Sequence, residues 1–190
     1  MKFLGLKKLH QGKFITRYDL SYETVDGIKK DYEIISRDPD MKGFFDVSEH
    51  KVDAVVIIMH SEDGEKVLLN REYRMAVGGF VYNFPAGLID PGEDALIAAK
   101  RELKEETGLD ILKVEDVIYE SYSAVGFSNE KNMCVVGVAG GTFSPSTSTL
   151  EEIEAGWFTK AEIRKLLKDQ HFAARSQAYC YLWSKKNSDN

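Results

Sequence analysis

Residues 87–109, GLIDPGEDALIAAKRELKEETGL, constrain this chain more than any other stretch. Pro91 and Gly92 mark a loop, and Glu93 and Asp94 place negative charge where a helix N-terminus favours it. Residues 95–106 hold no Gly or Pro and are rich in strong helix formers. Leu96, Ala99 and Leu103 recur at helical spacing, and Gly108 is placed as the stop signal. The spacing therefore predicts a loop, a helix over 95–106 and a closing turn. Glu102 and Glu106 fall one helical turn apart with Glu105 beside them.

Like charges at that spacing destabilise an isolated helix by a few tenths of a kcal/mol. One reading is a solvated face on which Arg101 and Lys104 balance the acids. The other is a divalent-cation site, because clustered hard oxygen donors suit Mg²⁺ or Mn²⁺. The wider pattern favours the second. Gly87, Glu93, the run Arg101-Glu102-Leu103, Glu105-Glu106 and Gly108-Leu109 occupy every fixed position of G-x5-E-x7-R-E-U-x-E-E-x-G-U, where U is a bulky aliphatic residue. Nine specified positions over 23 residues rarely coincide by chance. The chain thus resembles the Nudix hydrolases, which cleave nucleoside diphosphates linked to another moiety.

The bulk properties agree with a compact globular protein. A chain of 190 residues, 43% hydrophobic and 29% charged, is long enough to bury a substantial core. Its net charge of −6 argues against nonspecific binding to nucleic acid or an anionic membrane. It does not argue against an anionic substrate, since a metal supplies positive charge locally. Cys134 and Cys180 lack CxxC spacing, so reduced thiols are expected. No secretory leader or membrane-length apolar run is evident, and a cytoplasmic location is the expectation.

Taken in order, residues 14–22 and 30–36 read as strands joined through Asp26-Gly27, a hairpin signal. Residues 52–59, VDAVVIIM, form the continuous apolar run of a strand buried on both faces. Strands are also expected at 66–71, 80–84, 111–122 and 133–139. Residues 140–149 read as a Gly/Ser/Thr-rich loop, 160–168 and 173–183 as helices, and the last seven residues as a frayed tail. Between these elements the likeness to the ADP-ribose pyrophosphatase branch of the family continues. Arg71-Glu72-Tyr73-Arg74 matches its Q/E-Y/F-R run, and Pro85-Ala86-Gly87-Leu88-Ile89-Asp90 matches its P-A-G-x-I-D run. Gly126, Ser128 and Glu130 match P-G-x-S-x-E, with Val125 in place of the Pro, and Asn83 stands where the branch usually has Glu.

This resemblance implies an α+β fold, an α/β/α sandwich around a mixed sheet, with an added N-terminal β-hairpin or small sheet. The expected division is a β-element over 1–45 and a Nudix domain over 46–190. The N-terminal element either serves a homodimer, as in that branch, or merely covers one edge of the main sheet. The implied metal ligands are Glu102, Glu105, Glu106 and the Ala86 carbonyl, holding Mg²⁺ or Mn²⁺. Arg101 is expected to orient a neighbouring carboxylate, and Glu93 to hold the loop to the helix. Glu106 or a loop acid, Glu151 or Glu152, is expected to act as base. Arg71, Arg74, Gly126, Ser128 and Glu130 are the implied substrate contacts. Physically, Gly87 is expected to permit a tight turn after Pro85.

Hydrolysis of ADP-ribose to AMP and ribose 5-phosphate is the leading expectation. Asn83 and Val125 leave open another nucleoside-diphosphate sugar or a dinucleotide. A nucleotide-sensing module without activity is a third alternative. His10, His50, His60 and His171 are scattered, which disfavours a histidine-based site.

Overall fold

The computed structural model describes residues 1–148 and 151–185. Of the frayed tail expected over the last seven residues, Ser184 and Lys185 instead end a helix, with Ser184 buried, and 186–190 lie outside the described residues, as does Thr149 of the expected loop. The chain forms two compact units, one from Met1–Ala54 with Glu120–Met133, the other from Val55–Tyr119 and the residues from Cys134 onward.

In the first unit, strands β1 (Lys2–Gln11), β2 (Thr16–Glu23) and β3 (Lys29–Ser36) form an antiparallel sheet in that order. The β2–β3 turn contains Gly27 at φ 75°, as the Asp-Gly signal predicts. Along β2, buried Thr16, Tyr18 and Leu20 alternate with more accessible Arg17 and Asp19. Tyr18, Leu20, Ile34 and Met41 form this unit's core, with Val47 of the short helix α1 (Phe44–Ser48) packed against it. Strand β1 and helix α1 are additions to the expected hairpin. In β1 the cations Lys2, Lys7 and Lys8 interrupt any apolar run, and pairing with β2 defines the strand.

The second unit holds β4 (Ala54–His60), β5 (Lys66–Arg74), β6 (Gly79–Asn83), β7 (Ala86–Leu88), β8 (Asp110–Tyr122), β9 (Lys131–Gly140) and β10 (Ile153–Thr159), except Ala54, the last three residues of β8 and the first three of β9, which belong to the first. These strands form one sheet of order β10-β5-β4-β9-β8, with β6 on β5 and β7 on β4. Three helices pack on it: α2 (Ala95–Thr107), α3 (Lys160–Asp169) and α4 (Ala174–Lys185).

Alternation along β4 divides the core into two layers. Val55, Ile57 and Met59 meet Ala98, Ala99 and Leu103 of α2, whereas Val56 and Ile58 meet Ile163 of α3 and Cys180 of α4. An apolar run buried on both faces is what helices on both sides of a sheet require. The expected α/β/α sandwich is present. Among the described residues, no helix is long and apolar enough to cross a membrane. Cys134 and Cys180 are both free.

Candidate active site

Local chemistry fixes the loop–helix unit at the site. Asp94 is the N-cap of α2, accepting from the backbone N–H groups of Leu96 (2.9 Å) and Ile97 (2.8 Å). Gly108 closes the helix in the left-handed conformation at φ 79°. Glu93 turns back along the helix instead of capping it. It accepts from Arg101 Nε at 2.9 Å and from Nη2 at 2.8 Å, a bidentate pair. The same guanidinium donates to Glu102 Oε1 at 2.7 Å and to the Leu88 carbonyl at 2.9 Å. These bonds with Arg101 hold the Glu93 carboxyl below its ordinary range. Arg101 therefore ties the 88–93 loop, its own helix and Glu102 into one body.

Gly87 has a different role from the one its position suggests. It lies inside the short strand β7 and has no positive φ. A Cβ there would overlap the Glu102 carboxylate. What the site requires at 87 is empty space for that carboxylate; the turn is made by Gly92, at φ 93°.

The box acids divide by burial. Glu106 is buried, and its Oε2 accepts from Asn70 Nδ2 of β5 at 2.7 Å. Glu102 is largely covered, while the Glu105 side chain is 48% exposed and approaches Arg101 at 3.6 Å. Glu72 of β5 joins them. It is buried, accepts from Asn83 Nδ2 at 3.0 Å, and lies 3.8 Å from Arg74 Nη1.

Burial is the largest cause raising the carboxyl pKa of Glu72, Glu102 and Glu106, and for Glu106 the rise is well above the ordinary value. The charges of Glu72, Glu102 and Glu151 push Glu106 further up, and Glu151 also bears on Glu72 and Glu102. The four acids thus share one field. Among the described residues, however, no three His, Cys, Asp or Glu side chains gather into a group able to hold a metal as they stand.

The donor set nevertheless fits a hard cation. Its oxygens are desolvated and mutually repelling, so a divalent ion relieves the cost of ionising them. The space kept open at Gly87 lets the Glu102 carboxylate sit against the β7 backbone, next to Ala86. Ala86 packs on the α3–α4 side of the core.

The remaining expected site residues fall in several places. Glu151 lines a recess of about 200 Å³ with Glu72, Tyr73, Arg74 and Met75. Glu152 contributes its carbonyl, which accepts from the Tyr73 N–H at 3.0 Å. Arg71 lies over the Phe80 ring, 3.7 Å from its centroid, and pairs with Glu154 at 3.1 Å. Gly126, Ser128 and Glu130 belong to the first unit. There the Gly126 carbonyl accepts from Tyr32, Ser128 Oγ accepts from the Glu130 N–H at 3.1 Å, and Glu130 binds Arg37 and Ser123.

Sequence reasoning passed over Glu72, Asn70 and Ser176. Asn70 carried the clearest signal, a lone amide closing the run Val67-Leu68-Leu69 in a buried strand.

Comparison with known proteins bears on the family and the fold. The NUDIX domain family model matches residues 50–180. The ADP-ribose pyrophosphatase of Saccharomyces cerevisiae is 31% identical over 137 residues, covering 70% of this chain and 55% of that protein. The NAD-capped RNA hydrolase NUDT12 of Homo sapiens is 30% identical over 131 residues, 68% of this chain and 27% of that protein. The chain therefore spans about half or less of these curated relatives. A crystal structure of an ADP compounds hydrolase superposes with a TM-score of 0.71 at 20% identity, covering 96% of this chain and 92% of that one, which shows the shared fold. The box from Gly87 to Leu109, the sandwich that carries it and the match across residues 50–180 together show that this chain belongs to the Nudix family.

Proposed function

We propose that the chain hydrolyses the pyrophosphate bond of ADP-ribose, releasing AMP and ribose 5-phosphate, with Mg²⁺ as its ion. The observation that carries this reading is the shared field of Glu72, Glu102, Glu106 and Glu151 at the end of a complete Nudix box. Nudix hydrolases generally use divalent metal ions. Mn²⁺ meets the same oxygen donors. The substrate rests on the yeast relative's name and on the residues shared with that branch.

Glu102, Glu105, Glu106 and the Ala86 carbonyl are the ligands in this reading. When bound, the ion shields phosphate charge and lowers the pKa of a coordinated water. Arg101 would hold the Glu102 carboxylate in position for the ion through their hydrogen bond, and Glu93 keeps Arg101 in place. Glu106 or Glu151 accepts the proton of the attacking water. Glu151 is favoured over Glu152 for that role because its charge bears on all three buried acids. Arg74, beside Glu72, and Arg71, over the Phe80 ring, are the cations that would contact the diphosphate. The likeness to the P-G-x-S-x-E run keeps Gly126, Ser128 and Glu130 as candidate substrate contacts, with a ribose hydroxyl or the ion as the partner of Glu130. The protein works as a homodimer through its N-terminal sheet, in the cytoplasm, where the free Cys134 and Cys180 stay reduced; light scattering at twice the chain mass is the expected result for the dimer.

Product analysis with Mg²⁺ and a panel of nucleoside diphosphate derivatives tests the reaction, with Glu106→Gln run alongside. AMP from ADP-ribose in preference to the other compounds, reduced at least 100-fold in the variant, is expected. Preferred turnover of another panel member would keep the chemistry and replace the substrate, the outcome that Asn83 and Val125 keep open. Tight nucleotide binding without turnover would make the chain a sensor.

A further inference from the structure

Two asparagines face each other across β5 and β6. Asn70 and Asn83 are register partners, so their side chains leave the same face of the sheet. Glu72, two residues beyond Asn70 on β5, shares that face. Each amide donates to a different acid, Asn70 to Glu106 at 2.7 Å and Asn83 to Glu72 at 3.0 Å. We propose that Asn70 and Asn83 act as a paired positioning device that sets the Glu106 and Glu72 carboxylates against each other for the divalent ion. This inference rests on the metal-dependent reading above and adds Glu72 to the ligand set.

The hydrogen bonds fix the direction of each amide. On the Glu72 side, the Phe84 N–H donates to Ser176 Oγ at 3.1 Å, so the Ser176 hydroxyl proton is free to donate to Asn83 Oδ1 at 2.8 Å. With its oxygen occupied, Asn83 must turn its Nδ2 toward Glu72. Ser176 is fully buried, so water does not compete for this relay. On the other side, Asn70 is fully buried and its Oδ1 has no hydrogen-bond partner among the described residues. An apolar residue of that size would spare the chain an unsatisfied carbonyl. Asparagine at 70 makes sense through what its nitrogen does for Glu106.

Amides suit the task better than charged residues. A Lys or Arg at either position would neutralise the acid and repel the cation, whereas a third carboxylate would add to the repulsion. An amide N–H directs one carboxylate oxygen and adds no net charge; on Glu106 it leaves Oε1 for the ion, and on Glu72 it directs Oε1 while Oε2 faces Arg74 at 3.8 Å. Asn83, which stands where the branch usually has an acid, thereby becomes a support for the acid at 72.

The test uses the full chain with Asn70→Leu, Asn83→Leu and Ser176→Ala. Mn²⁺ binding is measured by calorimetry without substrate, beside thermal melts without metal and steady-state kinetics. Each Leu variant is expected to weaken Mn²⁺ binding about tenfold and to lower kcat with KM unchanged, because each amide acts through the acid to which it donates. Ser176→Ala should weaken binding about threefold, since it loosens Asn83 without removing it. Leu variants that bind Mn²⁺ like the wild type, with only the melt displaced, would reduce both asparagines to packing and overturn the proposal. Should Asn70→Leu fail to fold, Asn83→Leu and Ser176→Ala decide it on the Glu72 side. Wild-type protein that binds Mn²⁺ yet cleaves no nucleoside diphosphate derivative would sink the hydrolase reading alone, because the positioning effect is read without substrate.

Discussion

A Cβ on Gly87 would overlap the Glu102 carboxylate, whereas one on Gly92 meets nothing within 4 Å but sits at φ 93°. The two glycines therefore answer different physical demands, and alanine separates them. Gly87→Ala is expected to destabilise the chain by about 1–3 kcal/mol through overpacking, and to weaken Mn²⁺ binding because Glu102 must swing away. Gly92→Ala is expected to destabilise it by about 1–2 kcal/mol through the left-handed backbone, with metal binding intact. Urea unfolding and a Mn²⁺ titration of both variants check this. Equal metal affinity in the two would refute the reserved space at 87. Sequence alone favoured a turn at Gly87 because glycine after Pro-Ala carries that signal. The reason it is needed resides in an acid 15 residues away, which no local pattern reports.

At the level of elements, legibility followed how local the cause is. The helix expected over 95–106 appears as Ala95–Thr107 because its N-cap, its αL stop and its apolar stripe are all written within the segment. Leu96 lies at the edge of that stripe, and Ala98 completes the buried face instead. Strand β1 escaped notice because its lysines hide the alternation that pairing with β2 reveals. Glu72 escaped as a site residue because its burial depends on Asn83 across the sheet and its electrostatics on the acids of α2. The Arg101 lock was partly legible: a neighbouring carboxylate was expected to be its partner and Glu93 to hold the loop to the helix, while the choice of Glu102, the bidentate bond to Glu93 and the bond to Leu88 needed the folded loop. That lock is a prediction about the element. Lysine offers a single ammonium where the guanidinium serves Glu93, Glu102 and Leu88 together. Arg101→Lys should lose about 1–3 kcal/mol of stability and at least tenfold in kcat/KM, measured by thermal melts and kinetics. Retained activity with an intact melt would mean that charge alone suffices there.

Across the whole molecule, the titrating groups pull stability in opposite directions with pH. Burial raises the carboxyls of Glu72, Glu102 and Glu106 above their ordinary 4.5. Stability from such groups is full below the unfolded value and is lost as pH rises through the folded one. His60 runs the other way. Burial lowers it from 6.5, and its Nε2 meets the Tyr179 hydroxyl at 2.6 Å while its buried Nδ1 has no partner among the described residues. Its contribution is full above 6.5 and is lost as pH falls through the depressed folded value. Below 6.5 the two slopes oppose each other, and among the acids Glu106 is foremost because its carboxyl is raised well above the ordinary value. With a chelator present, the melting temperature of the wild type relative to Glu106→Gln should therefore fall as pH is raised from 4.5 through the folded value of Glu106. Mg²⁺ binds the ionised carboxylates, so its stabilisation should grow over the same interval and offset the fall. Glu106→Gln removes the buried charge, and with it this falling contribution, and should shrink the Mg²⁺ effect. A chelated wild-type melt that rises relative to Glu106→Gln over the same interval would contradict the shared field of the acids. An undiminished Mg²⁺ effect in Glu106→Gln would place the ion elsewhere, so the paired measurement tests the electrostatics of the fold and the location of its metal at once.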